Sequence, residues 1–212
     1  MDVLLFDLDN TLYPPERELF NLIDVRINRF MVEQVGIPAD AVDSLRRAYW
    51  AAYGVTLQGL IRHYDVDPEA YLHYVHDVDV TTRLAPDPEL RDMLAALPQR
   101  KAVFTNGSTC HADRVMNALG ITDQFETVFD IRVAGYRPKP YPEPYRAVLA
   151  ALDTTPQRCA MIEDSRDNLR TAKQLGMTTI LVGPGATPAF VDLHLPDVRA
   201  LGAALSLKEA AP

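Results

Sequence analysis

The chain has 212 residues, 48% of them hydrophobic, with 21 Lys and Arg against 29 Asp and Glu and a net charge of −8. That length suits one large domain or a core with a smaller accessory unit. The acidic balance argues against a general nucleic-acid binder, which needs basic patches. It leaves room for a phosphorylated small molecule, because a bound metal can supply local positive charge. Cys110 and Cys159 make no C-x-x-C spacing and read as free thiols. There is no run of about 18 apolar residues and no basic-then-apolar leader. The expectation is a cytoplasmic protein without membrane or nucleic-acid partners, monomer or homodimer.

The first element is Val3-Leu4-Leu5-Phe6, an apolar run that reads as a buried strand of a parallel sheet. Pro14 and Pro15 turn the chain away, since proline cannot donate to a ladder. Leu19, Phe20, Ile23, Ile27, Phe30 and Met31 then recur at helical spacing, predicting a helix over 16–35 closed by Gly36. Further helices are expected from about 38 to 53, 56 to 64 and 68 to 78. Residues 14–83 therefore read as an all-helical cap domain, inserted into a core of 1–13 and 84–212. In that core, helices are expected at 88–97, 110–119, 143–152, 165–175 and 197–207. Strands are expected at 101–105, 127–129, 159–162 and 178–182, with a last edge strand at 190–193. Strands alternating with helices predict an α/β fold, a doubly wound parallel sheet with right-handed crossovers. Ligands of such sheets bind beyond the carboxyl ends of the strands.

Three strand ends carry groups able to do chemistry. Asp7 closes the first strand and Asp9 follows two residues later, so both carboxylates face one side of an extended chain. Alone, such a pair reads as a solvated turn; it equally suits a divalent metal, or a nucleophile with a proton donor. Thr105-Asn106-Gly107-Ser108 reads as an ordinary strand-to-helix turn or as a small anion site. Glu163-Asp164-Ser165 supplies either a helix cap or oxygen ligands for Mg²⁺. Lys139, between Pro138 and Pro140, reads by itself as a solvated loop charge.

Taken together these stretches resemble the four motifs of the haloacid-dehalogenase-like hydrolases, most of which are aspartate-nucleophile phosphatases. Phe6-Asp7-Leu8-Asp9-Asn10-Thr11-Leu12 matches the first motif, Thr105 the second, Lys139-Pro140 the third and Glu163-Asp164 the fourth. Glu163 stands where many members have Asp. The resemblance implies that Asp7 is the nucleophile and Asp9 the acid and base. It places the phosphate on Thr105, Asn106 and Lys139. Mg²⁺ is implied on Asp7, on the backbone carbonyl of Asp9 and on Asp164, with Glu163 a further possible ligand. Residues 9–14 and the aromatic, His-bearing stretch 71–77 resemble the pyrimidine 5′-nucleotidase-like subgroup. That implies a nucleoside 5′-monophosphate as substrate, with sugar phosphates, phosphoglycolate or a phosphomutase reaction as alternatives. Tyr13, at the entry to the cap, is expected beside the substrate, and His73 or His76 could face the cleft.

Overall fold

A computed structural model describes residues 1–209 of the chain; the last three residues of the expected core lie outside them. Six strands form one all-parallel sheet: β1 (Val3–Phe6), β2 (Arg100–Phe104), β3 (Thr127–Phe129), β4 (Cys159–Glu163), β5 (Thr178–Val182) and β6 (Leu193–Leu195). Their order is β3-β2-β1-β4-β5-β6, so the winding reverses between β1 and β4. Val3 and Leu5 face one apolar layer and Leu4 and Phe6 the other, which is why the strand is apolar at every position. The first layer is completed by α7 (Pro142–Ala151) and α8 (Arg166–Gln174). The second is completed by α5 (Pro88–Ala96), α6 (Thr109–Leu119) and α9 (Leu201–Glu209).

Between β1 and α5 lie four further helices, α1 (Leu19–Glu33), α2 (Ala39–Tyr53), α3 (Thr56–Tyr64) and α4 (Pro68–Val75). They enclose an apolar cluster of their own, with Phe30 set edge-on to Tyr71 and Tyr74. Phe30 and Tyr49 are buried there, whereas Trp50 points outward, 70% exposed. The loop after β3 reaches into this insert. Ile131 joins its apolar cluster, Arg132 forms a two-pronged pair with Glu69 at 2.7 Å, and Tyr136 donates to the same carboxylate at 2.5 Å. Gln58 in turn donates to the Tyr136 carbonyl. Among the described residues, no helix is long and apolar enough to cross a membrane.

Several boundaries differ from the sequence reading, among them the end of α4, which stops at Val75 rather than 78. α1 starts at Leu19, not near 16, because Glu18 sits at φ +54° and separates a short 3-10 turn from the helix. The edge strand is Leu193–Leu195 rather than 190–193. Asp192 folds back to accept from the backbone and hydroxyl of Thr179, so pairing starts only after it. α9 begins at Leu201 because Asp197 caps a separate turn, Val198–Ala200.

Gly59, inside α3, permits close packing of α2 on α3. A Cβ there would stand 2.1 Å from Cγ of Tyr49. Ala normally gains up to about 1 kcal/mol over Gly in a helix; here overpacking should cost about 1–3 kcal/mol. Gly59→Ala is therefore expected to lower the urea midpoint, and an unchanged or raised midpoint would mean that the Tyr49 ring repacks freely.

Candidate active site

The switch of winding direction opens a crevice beyond β1 and β4, and the chemistry-bearing residues meet there. Asp7 follows β1 directly, its N–H bonded to Ile162 of β4 at 2.9 Å. Leu8 then starts a tight turn in which Asn10 takes φ +63°, a conformation Asn tolerates better than most side chains. The turn folds Thr11 back to donate to Asp7 at 3.4 Å.

Lys139 comes from the loop before α7 and is 1% exposed. Its Nζ donates to Asp7 Oδ1 at 2.7 Å, to Glu163 Oε2 at 2.9 Å and to the Phe104 carbonyl at 2.6 Å. An ammonium has three donors, so all are used. Asn106 fixes the lysine backbone from both sides, accepting from its N–H at 2.8 Å and donating to its carbonyl at 3.0 Å. The Asn106 side chain is thus engaged with Lys139, while its own N–H has no partner among the described residues. Thr105, the first residue after β2, accepts from Gly107 N–H through its hydroxyl. The turn as a whole presents a hydroxyl and main-chain donors beside the lysine.

Glu163 ends β4, 1% exposed. Besides Lys139 it accepts from Asn168 Nδ2 at 2.9 Å and from Ser165 N–H at 3.1 Å, so both oxygens are engaged. Ser165, not Asp164, caps α8, accepting from Asn168 N–H. Asp164 is thereby left for the crevice. Carboxylate oxygens of Asp7, Glu163 and Asp164 lie within 4.8 Å of one another.

Burial and then Glu163 push the Asp7 carboxyl up to about 7, against the pull of Lys139. Burial and Asp164 likewise lift Glu163 to about 7, again against Lys139. Asp164 is raised by burial and by Asp7. Burial alone would depress Lys139, but Asp7 and Glu163 outweigh it and hold the ammonium well above the usual lysine range. Three carboxylates cluster beside one ammonium that contacts two of them, and every possible ligand atom is oxygen. Such a set suits a hard divalent cation such as Mg²⁺, which needs only one or two carboxylates besides water.

Asp9 lies at the crevice rim, accepting from Tyr13 Oη at 2.5 Å and from His111 Nε2 at 2.8 Å. Burial would raise its pKa; His111 and Tyr13 more than offset that and lower it. Tyr13, expected beside the substrate, is almost wholly buried with its hydroxyl on Asp9. His76 closes α4 and stacks on His111, while His73 is exposed. The sequence reading gave no role to His111. Its only signal was position, a titratable residue in the first turn of the helix that leaves a chemistry-bearing strand end. A cavity of about 290 Å³ opens beside Tyr13, Leu84 and Pro86, at the base of the insert and lined by none of the clustered carboxylates.

A doubly wound parallel sheet with a carboxylate–lysine cluster at its switch point and a helical insert after the first strand defines the class of the protein, an α/β protein with an acidic site at the carboxyl ends of its strands. Residues 1–176 match the family described as haloacid dehalogenase-like hydrolase, and the chain belongs to that family. It is 28% identical over 194 residues to Phosphate metabolism protein 8 of Saccharomyces cerevisiae, covering 84% of this chain but only 60% of the yeast protein. It is also 28% identical over 197 residues to a phosphoglycolate phosphatase of Rhodospirillum rubrum, covering 86% of this chain and 79% of that one. A phosphatase structure of this superfamily from Thermococcus onnurineus superposes with a TM-score of 0.67 at 18% identity, covering 97% of this chain and 98% of the other. At that identity the likeness is one of fold.

The raised carboxyls fix the sign of a stability change. In chelator, unfolded Asp and Glu release their protons near 3.8 and 4.5, whereas folded Asp7 and Glu163 keep theirs to about 7. The folded state binds more protons across that window, so stability falls as pH rises through it. The melting temperature in EDTA is expected to drop between pH about 5 and about 8, and Mg²⁺ should recover most at the upper end. A melting temperature that climbs across this range in EDTA would mean that the protein already compensates these carboxylates.

Proposed function

We propose that the protein is a Mg²⁺-dependent phosphatase that hydrolyses a small phosphate monoester through a phosphoaspartate on Asp7. Residues 14–83 act as a cap over a core formed by 1–13 and 84–212. The observation that carries this reading is the buried Lys139 ammonium between Asp7 and Glu163 at the switch point. It supports the reading because Asp7 as nucleophile would then stand beside a cation able to neutralise phosphate, with the carboxylate of Asp9 two residues on. The names of the yeast and R. rubrum relatives add support.

In this reading a carboxylate oxygen of Asp7 attacks phosphorus. The bond from phosphorus to the leaving oxygen breaks, and that oxygen takes a proton from Asp9, which enters the cycle in its protonated form. Asp9, now ionised, accepts a proton from water, whose oxygen attacks the phosphorus of the acyl phosphate. The bond to Asp7 breaks, releasing inorganic phosphate and restoring both aspartates. Lys139, the Thr105 hydroxyl and the Asn106 N–H hold the phosphoryl oxygens; Lys139 gives up a protein acceptor to do so. Asp7, the Asp9 carbonyl and Asp164 would hold Mg²⁺, which when bound supplies neutralising charge for the phosphoryl oxygens. Glu163 has both oxygens engaged, which fits a holder of Lys139 better than a ligand.

A dehalogenase would have no use for an acid–base carboxylate at Asp9. For the substrate we take a nucleoside 5′-monophosphate, pyrimidine first, on the subgroup resemblance of residues 9–14 and 71–77. A second reading, phosphoglycolate, is favoured by the R. rubrum relative, which aligns over most of the chain.

Asp7→Asn is expected to abolish phosphate release with the fold intact by circular dichroism. Asp9→Asn should still form phosphoenzyme from p-nitrophenyl phosphate but stall its hydrolysis. Near wild-type steady-state rates in either variant would remove these roles, and full activity in EDTA would remove the metal. In a phosphate-release screen, UMP and CMP should lead. A sugar phosphate or phosphoglycolate ahead of them by more than about tenfold in kcat/KM, about 1.4 kcal/mol, would sink the nucleotide reading alone.

A further inference from the structure

Asp9 is gripped by two residues that the reaction scheme above does not use. Tyr13 Oη and His111 Nε2 both donate to its Oδ1. Its Oδ2 accepts no hydrogen bond among the described residues. His111 is 0% exposed and stands in the first turn of α6, behind the Thr105–Ser108 turn. Oδ1 accepts in both contacts, so Nε2 carries the hydrogen that faces it, and Nδ1 lies on the far side of the ring. That Nδ1 is buried without a partner, which costs stability. An apolar side chain of similar size would fill the same space without that cost, but it would not reach Asp9. The ring plane is set by His76, stacked on it with centroids 4.7 Å apart and planes 12° from parallel. His76 is pinned in turn by Ser108 Oγ at 3.0 Å and by Arg114, which donates to its carbonyl.

We propose, on the phosphatase reading above, that His111 is a positioning residue for proton transfer. Together with Tyr13 it clamps Oδ1 of Asp9, leaving Oδ2 as the one oxygen that gives a proton to the leaving group and takes one from water. A carboxylate free to turn would offer either oxygen in many directions; the clamp removes that freedom before substrate arrives. Tyr13 and His111 keep their own protons throughout.

The proposal predicts a selective loss. A p-nitrophenolate departs with little need of a proton, whereas an alkoxide needs one in the transition state. The experiment compares kcat/KM for p-nitrophenyl phosphate and glycerol phosphate in wild type, His111→Ala, His111→Gln and Tyr13→Phe, with folding followed by circular dichroism. His111→Ala should lose at least about tenfold more on glycerol phosphate than on p-nitrophenyl phosphate, out of the about 10²–10⁴-fold that acid–base transfer supplies. His111→Gln, which offers an N–H at similar reach, should recover most of the difference. Tyr13→Phe should show the same preference more weakly, and it carries the comparison if His111→Ala does not fold. Equal losses on the two esters would overturn the clamp. Wild-type protein that releases phosphate from neither ester, nor from UMP, CMP or phosphoglycolate, would instead overturn the phosphatase reading beneath it.

Discussion

Lys139 brings a full positive charge into a place from which water is excluded, and everything around it answers to that fact. Desolvating an ammonium costs several kcal/mol, which only close, well-aligned partners offset. The structure supplies three, Asp7, Glu163 and the Phe104 carbonyl. Removing one partner of such a group leaves an uncompensated charge, a loss of about 3–5 kcal/mol. The surroundings keep the partners in place. Asn106 ties down the lysine backbone, Asn168 holds Glu163, and Tyr145 donates from α7 to the Asn168 carbonyl. The ring of Phe104 lies 4.9 Å from the ammonium. Two helices of one layer, α7 and α8, are thus joined to the sheet through a polar line that ends at Asp7.

The sheet was readable from sequence for a physical reason. β1 and β4 are covered on both faces, so Val3–Phe6 and Cys159–Ile162 are uninterrupted apolar runs. β6 is covered less completely and its neighbour Asp192 turns inward, so its pattern does not mark its start. Asp7, Thr105, Glu163 and Asp164 were legible because each follows an obvious strand. Lys139 was not legible from its own surroundings, since proline-flanked lysines are normally solvated. Only the family resemblance singled it out, because its partner Asp7 lies 132 positions upstream. His111 escaped notice for the same reason: its contact to Asp9 spans 102 positions, and its place in α6 is explained by helix periodicity alone. Tyr13 was legible as a hinge residue, but which way its hydroxyl points depends on the turn at Asn10.

Ile131, Arg132 and Tyr136 dock on the helical insert, and Lys139 follows within the same loop. One stretch of chain therefore touches both the insert and the charge at the centre. Glu69 and Arg132 are largely exposed, so their pair is worth at most about 1 kcal/mol and weakens with salt. The apolar seat of Ile131 is the firmer tie. The insert and the lysine loop are thus tied together through that seat. A displacement of the insert would therefore pull on the loop that carries the ammonium, although the two belong to different layers of the molecule.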